Sequence, residues 1–320
     1  MARRKKRKTK KFSVLPICVV LFVCMGVILG KYQFDSKTLP AYADYYEIAH
    51  AELEERHSLA PTGSINLSAL RDLGVLRNKY YAVDKKTKMT EELFNIDRLM
   101  ATDVHIEKSL FKPKVLIFHT HAHEKYADSD ENGGVLGAGE LLKNTLEKEY
   151  GVKCLHVTES FDTVDGKLQI LGAYERMEPR IREILKKNPS IEMVIDLHRD
   201  GVGENVRLVS DVNGENCAKI MFFNGLCEKV NANGGLSQPD GLVNPYVEDN
   251  LALSLKAQMT AEQLYPGLNR KIYLNAYRYS LHMKPYSMLI ELGAQTNTEA
   301  EVKNSVKKLA NILYETAFKE

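Results

Sequence analysis

Lys114-Val115-Leu116-Ile117-Phe118-His119-Thr120-His121-Ala122-His123-Glu124 is the stretch on which the reading of the whole chain turns. Val115 to Phe118 is a short apolar run rich in β-branched and aromatic side chains, and it reads as a buried strand. It opens directly onto three histidines and a glutamate. In α/β proteins, ligands gather beyond the carboxyl ends of strands, where loops are free to carry chemistry. His121 and Glu124 have the spacing H-x-x-E, which a single tight turn brings to one point. An imidazole and a carboxylate placed this way suit tetrahedral zinc. The plainer alternative is a surface turn that happens to be rich in histidine.

Downstream of this stretch, strand and helix patterns alternate. A polar loop at 125–134 carries Asp128, Asp130 and Glu131. Val135–Tyr150 has apolar residues at helical spacing, and Gly151 is placed to end that helix. A strand at 152–157 follows, then a helical stretch at 167–187 that Pro179 should kink or divide. The strand at 191–197 runs straight into His198-Arg199-Asp200-Gly201, repeating the opening device. Strands are also expected at 205–209 and 218–223, with a turn at Asn224-Gly225. A third helix is expected at 247–263, and a tyrosine-rich strand or loop at 272–279. The strand at 286–290 delivers Glu291, and Thr298-x-x-Glu301 is a capping box that opens a closing helix over 298–318. Short connections between alternating elements imply a largely parallel sheet covered by helices on both faces.

The strand ends supply the candidate site. Asp196 and His198 are two apart and share a face if the strand continues. His198 is then a ligand, with Asp196 or Asp200 fixing its ring. Arg199 and Arg207 have planar forks suited to a substrate carboxylate or carbonyl, or are ordinary surface arginines. A carboxylate at the end of an apolar strand is costly unless paired or functional, so Glu291 is read as the general base that deprotonates the attacking water. The structural alternative pairs it with Arg199 or Arg278.

Before this region lie three segments of different character. Eight of residues 2–11 are basic, and 12–30 is uncharged and almost wholly apolar. That order reads as a cytoplasmic head at 1–11 and a signal anchor at 12–30, with the remainder outside the membrane. The basic run is thus a topology signal. Without it the chain is mildly acidic, and nothing argues for nucleic-acid binding. Residues 31–113 carry helical patterns, Pro40, Pro61 and Gly63, and read as a linker or stalk, or a small interaction domain. Cys18 and Cys24 fall in the apolar run, leaving Cys154, Cys217 and Cys227, which cannot all pair and contain no C-x-x-C, so they make no disulfide framework.

Strand-His-Thr-His-x-x-Glu at 119–124, Asp-Leu-His-Arg-Asp at 196–200 and Leu-Ile-Glu-Leu-Gly at 289–293 together resemble the stage II sporulation protein P family. The resemblance covers 114–320 in order and spacing, and the expected anchor agrees with it. It implies a mixed, largely parallel sheet between helices, similar to that of zinc N-acetylmuramoyl-L-alanine amidases. The implied catalytic domain is 114–320, a zinc peptidoglycan hydrolase at the outer face of the cell membrane. The implied reaction is cleavage between muramic acid and the stem peptide, with endopeptidase cleavage as well, during endospore engulfment. Stage II sporulation proteins D and M are the implied partners. The ligand set carried over is His121, Glu124 and His198. His123 extends the usual motif, His119 competes with His121, and in related amidases the glutamate lies nearer the first helix, which makes Glu140 a rival to Glu124. A zinc carboxypeptidase-like enzyme and a non-catalytic wall scaffold are the competing classes.

Overall fold

A seven-stranded sheet positions the site in the computed structural model, which describes residues 65–239 and 241–319. Its strands are β1 (Tyr81–Val83), β2 (Val115–Phe118), β3 (Cys154–His156), β4 (Met193–Asp200), β5 (Ile220–Gly225), β6 (Ile272–Asn275) and β7 (Tyr286–Ala294). Their order across the sheet is β1-β6-β5-β7-β4-β2-β3. Every neighbouring pair is parallel except β5 with β7. The architecture is therefore mixed and largely parallel, flanked by helices α1 (Leu73–Tyr80), α2 (Ile96–Ala101), α3 (Val135–Tyr150), α4 (Ala173–Lys187), α5 (Val247–Leu264) and α6 (Glu299–Ala317).

All four residues of β2 are buried, as a strand covered on both faces requires. Leu116 and Phe118 pack with Met177, Ile181 and Leu185 of α4 in one core cluster. On α3, Leu142 and Leu146 are fully buried, and Gly151 ends the helix in the left-handed region at φ 68°. The capping box at Thr298 and Glu301 is present in both directions and starts α6.

Several expectations are corrected. Residues 81–83 pair with β6 as an edge strand, and the described residues from 65 onward belong to one compact unit, so the folded region begins well before Lys114 and the stalk reading of 65–113 does not hold. No helix starts at 167: Thr163–Val164 and Lys167–Leu168 form a hairpin, and α4 begins at Ala173 and runs through Pro179 as one helix. Asn224 and Gly225 close β5, and no turn forms there. Residues 205–208 lie outside any strand, and Val209–Val212 pairs with Glu215–Ala218 as a separate hairpin. The expected head at 1–11, the anchor at 12–30 and the helical patterns before residue 65 lie outside the described residues. Among the described residues, no helix is long and apolar enough to cross a membrane. Cys154, Cys217 and Cys227 are free and buried, and burial raises the pKa of each thiol, as expected of packing side chains and not of nucleophiles.

Candidate functional site

The parallel run β7–β4–β2 sets three carboxyl strand ends side by side. In the register Glu291 stands opposite His198, and Phe118, the last residue of β2, stands opposite Asp196. Motifs far apart in sequence thus share one edge of the sheet.

The chain leaves the strand after Phe118, so His119 and His121 no longer share a face. His119 turns toward α3 and is fully buried. Its Nδ1 lies 2.7 Å from the Leu197 carbonyl and its Nε2 2.8 Å from Nε2 of His156, whose Nδ1 lies 3.0 Å from Glu140. A carbonyl only accepts, so the ring proton of His119 is on Nδ1. Burial, and then the neighbouring His156, push its pKa down to about 3. Gly139 of α3 allows this approach, since a Cβ there would meet both Nε2 atoms at 2.7 Å.

His121 faces the other way. Its ring centroid is 5.3 Å from that of His198 and 5.8 Å from that of Tyr174, and its buried Nδ1 has no hydrogen-bond partner. The backbone N–H of Arg199 donates to Glu124 Oε2 at 3.0 Å, and the same oxygen lies 3.5 Å from His198 Nδ1. The other nitrogen of His198 is 2.7 Å from Asp196 Oδ1. Asp196 in turn accepts from the Thr120 N–H at 2.9 Å and the Thr120 hydroxyl at 2.7 Å. Burial opposes a charge on His198, but Asp196 first and Glu124 second outweigh it and hold its pKa well above the ordinary histidine range.

Glu291 completes the group. One of its carboxylate oxygens is buried without a partner. Burial pushes its pKa up to about 7. The charge of His198 opposes this, while Glu124, Asp200 and Asp196 add to it. The bulge in β7 follows directly, with Gly293 at φ +66°, where a Cβ would stand 2.8 Å from Asn297. Tyr126 ties the loop after Glu124 to this strand by donating to the Leu292 carbonyl at 3.0 Å.

The donor set fits a small cation. Two ligands at zinc's usual bond lengths on a tetrahedron stand about 3.3 Å apart, close to the 3.5 Å between Glu124 and His198. His121 offers an unpaired buried nitrogen, and Asp196 braces the far side of the His198 ring. Among the described residues, no trio of His, Cys, Asp or Glu already stands as a finished ligand set. Instead, His198 faces Glu124 across the proton that its raised pKa retains, and a cation entering there would displace that proton.

The sequence model of the stage II sporulation protein P family matches residues 52–314. The chain belongs to that family. Stage II sporulation protein P of Bacillus subtilis (strain 168) is 21% identical over 221 residues, which cover 64% of this chain and 51% of that protein. The matched region therefore spans about half the length of that curated relative. Among solved structures, the chain is similar to the CwlD amidase from Clostridioides difficile in complex with the GerS lipoprotein. The identity is 14% and the TM-score 0.39, with 63% of this chain and 94% of that one covered. It is also similar to the N-acetylmuramoyl-L-alanine amidase AmiC2 of Nostoc punctiforme. There the identity is 15% and the TM-score 0.34, with coverage of 64% and 97%.

Not every candidate residue of this stage II sporulation protein P family member reaches the site. Glu140 bonds His156 on the α3 side, so Glu124 is the glutamate beside His198. His123 is half-exposed and pairs with Asp162 at 2.9 Å. Asp200 does not support the His198 ring, because its carboxylate bonds Arg270 and the Gly201 N–H. Arg207 is taken up by the Thr296 carbonyl and Glu301, and so is not free to hold a substrate as expected. Arg199 does sit at the rim, but its guanidinium bonds the carbonyls of Lys125 and Asp200, and its backbone N–H is the group that meets Glu124. Arg278, the other proposed partner of Glu291, pairs with Glu178. Two contributors were missed. Thr120 lay unnoticed inside the quoted motif, and Tyr174 gave no signal at all, since its approach to His121 depends on how α4 packs.

Proposed function

We propose that this chain is a zinc-dependent peptidoglycan hydrolase that cleaves the amide between muramic acid and the stem peptide, an N-acetylmuramoyl-L-alanine amidase with endopeptidase cleavage as a second activity. Its setting is endospore engulfment. Residues 12–30 anchor it, 114–320 carry the catalytic residues outside the membrane, and stage II sporulation proteins D and M are its partners. One observation carries the reading: Glu291, with a buried carboxylate oxygen that has no partner, stands on the same sheet edge as His121, Glu124 and His198. Buried carboxylates are normally hydrogen-bonded, and an exception asks for a role.

His121, Glu124 and His198 would hold zinc, which when bound polarises the scissile carbonyl and makes water nucleophilic at neutral pH. Glu291 takes a proton from the attacking water as the C–O bond forms. It then gives that proton to the amide nitrogen as the C–N bond breaks, because an amine anion leaves poorly. Its carboxyl at about pKa 7 holds or yields a proton near neutrality, and a cation nearby would lower that value. Asp196 fixes which nitrogen of His198 faces the site, and the Arg199 N–H holds Glu124 in place.

Metal analysis of the purified chain, with product analysis of digested sacculi, tests the reading. The expected result is one zinc per chain and a freed muramic lactyl group. Release of a terminal amino acid with the lactyl amide intact would favour a carboxypeptidase-like enzyme, and absence of any product would favour a scaffold.

A further inference from the structure

The site borders an aromatic cleft of about 230 Å³ to which the reaction above gives no task. It is lined by Tyr174, Met177, Glu178, Leu242, Arg278 and Tyr279, among others. Tyr174 belongs to both places: its ring meets His121 edge-on at 5.8 Å and Tyr279 edge-on at 5.6 Å. Tyr279 packs on Phe223 at 4.7 Å, and its φ is +52°. A bulky residue in the left-handed region is an outlier that persists only when its surroundings fix it, and such residues cluster at ligand sites. Beside the rings, Glu178 is held by Arg278 at 2.7 Å, Arg182 at 2.9 Å and His282 at 3.0 Å. Glu175 also lines the cleft, and the buried Nε of Arg278 has no hydrogen-bond partner.

We propose that this cleft is the glycan subsite, seating an N-acetylated sugar of the strand next to the scissile bond; the proposal rests on the peptidoglycan reading above. The C–H face of a pyranose packs against aromatic rings, and its hydroxyls pair equally well with a carboxylate and a guanidinium. The volume suits one such ring. The pairing of Glu178 with Arg278 and Arg182 leaves that wall of the cleft close to neutral, which suits the uncharged sugar chain next to an intact lactyl amide better than the charged stem peptide. Because Tyr174 touches both the cleft and His121, a sugar held on the tyrosines abuts the reacting end, and the stem peptide leaves on the side away from α4.

Calorimetric titration of the full-length chain with the neutral tetramer of N-acetylglucosamine tests this, alongside titration with a soluble stem tetrapeptide. Tyr279→Ala is expected to weaken tetramer binding about tenfold, and Tyr279→Phe to bind close to wild type. The ratio of kcat/KM on a multi-sugar substrate to that on a single muramoyl peptide should fall by the same factor in Tyr279→Ala. A folded Tyr279→Ala protein that binds the tetramer as wild type does overturns the proposal. So does a variant that loses the tetrapeptide instead. Should Tyr279→Ala fail to fold, Tyr277→Ala, on the same cleft, carries the same expectations. If the wild-type chain binds the tetramer through Tyr279 yet frees no lactyl group, the amidase reading fails and the subsite stands. If it frees the lactyl group while Tyr279→Ala binds the tetramer unchanged, the reverse holds.

Discussion

Two clusters of histidine and carboxylate hang from the end of the same four-residue strand, and they differ in what is left unpaired. On the α3 side, His119 meets the Leu197 carbonyl and His156, and His156 meets Glu140, so each ring nitrogen has a partner. On the other side, His121 Nδ1 and a Glu291 oxygen are buried with none. The first arrangement is what a folded interior needs, and the second is what a site needs. Residue type alone does not separate them. The exit of the chain from β2 after Phe118 does, by sending two histidines of one motif to opposite faces.

Substitutions can sharpen or break this contrast. The largest effect is expected at Glu291. Glu291→Gln should cost roughly 10²–10⁴ in hydrolysis rate, while melting temperature and zinc content stay near wild type. A variant that loses its fold and its zinc together would make Glu291 a structural group instead. Asp196→Asn should reduce zinc affinity about 10–100-fold, measured by chelator competition, because the brace on His198 is weakened. An unchanged affinity would detach Asp196 from the metal.

On the α3 side the expected effects are on stability alone. Gly139→Ala places a Cβ against two buried rings and should destabilise the fold by about 1–3 kcal/mol in urea unfolding. The smallest effect is at Glu140, whose carboxylate is half-exposed. Its pKa is lowered chiefly by the hydrogen bond from His156, with burial opposing. A depressed folded-state pKa contributes stability that is present above the ordinary glutamate range and is lost as pH falls through the folded value. Glu140→Gln should therefore cost less than about 1 kcal/mol near neutrality, and the difference from wild type should vanish in acid.

The strand ends and helix limits behind this contrast could be read in the sequence, whereas the contrast itself could not, for physical reasons. Apolar runs ending in His119, His198 and Glu291 marked three strand ends, because burial on both faces leaves a continuous hydrophobic signature. The bounds of α3 and the cap of α6 were written in Gly151, Thr298 and Glu301. Strand order was not legible, because pairing is a long-range property, and only the order β7–β4–β2 turns three motifs into one site. Tyr81–Val83 is too short to alternate, so the edge strand passed for part of a stalk. Arg207 resembled a substrate clamp because nothing local announces Glu301 as its partner. Glu124 stood on the H-x-x-E spacing and Glu140 on the likeness to amidases; the turn after β2 brings the first to His198, and α3 gives the second to His156.

Zinc content of paired histidine variants tests the central claim most directly. Full-length His121→Ala and His119→Ala proteins, purified alongside wild type and measured by elemental analysis after dialysis, should part company. His121→Ala should lose its stoichiometric zinc at an almost unchanged melting temperature, whereas His119→Ala should melt lower but retain one zinc per folded chain. Zinc lost with His119 and kept without His121 would place the metal on the α3 side and contradict the account.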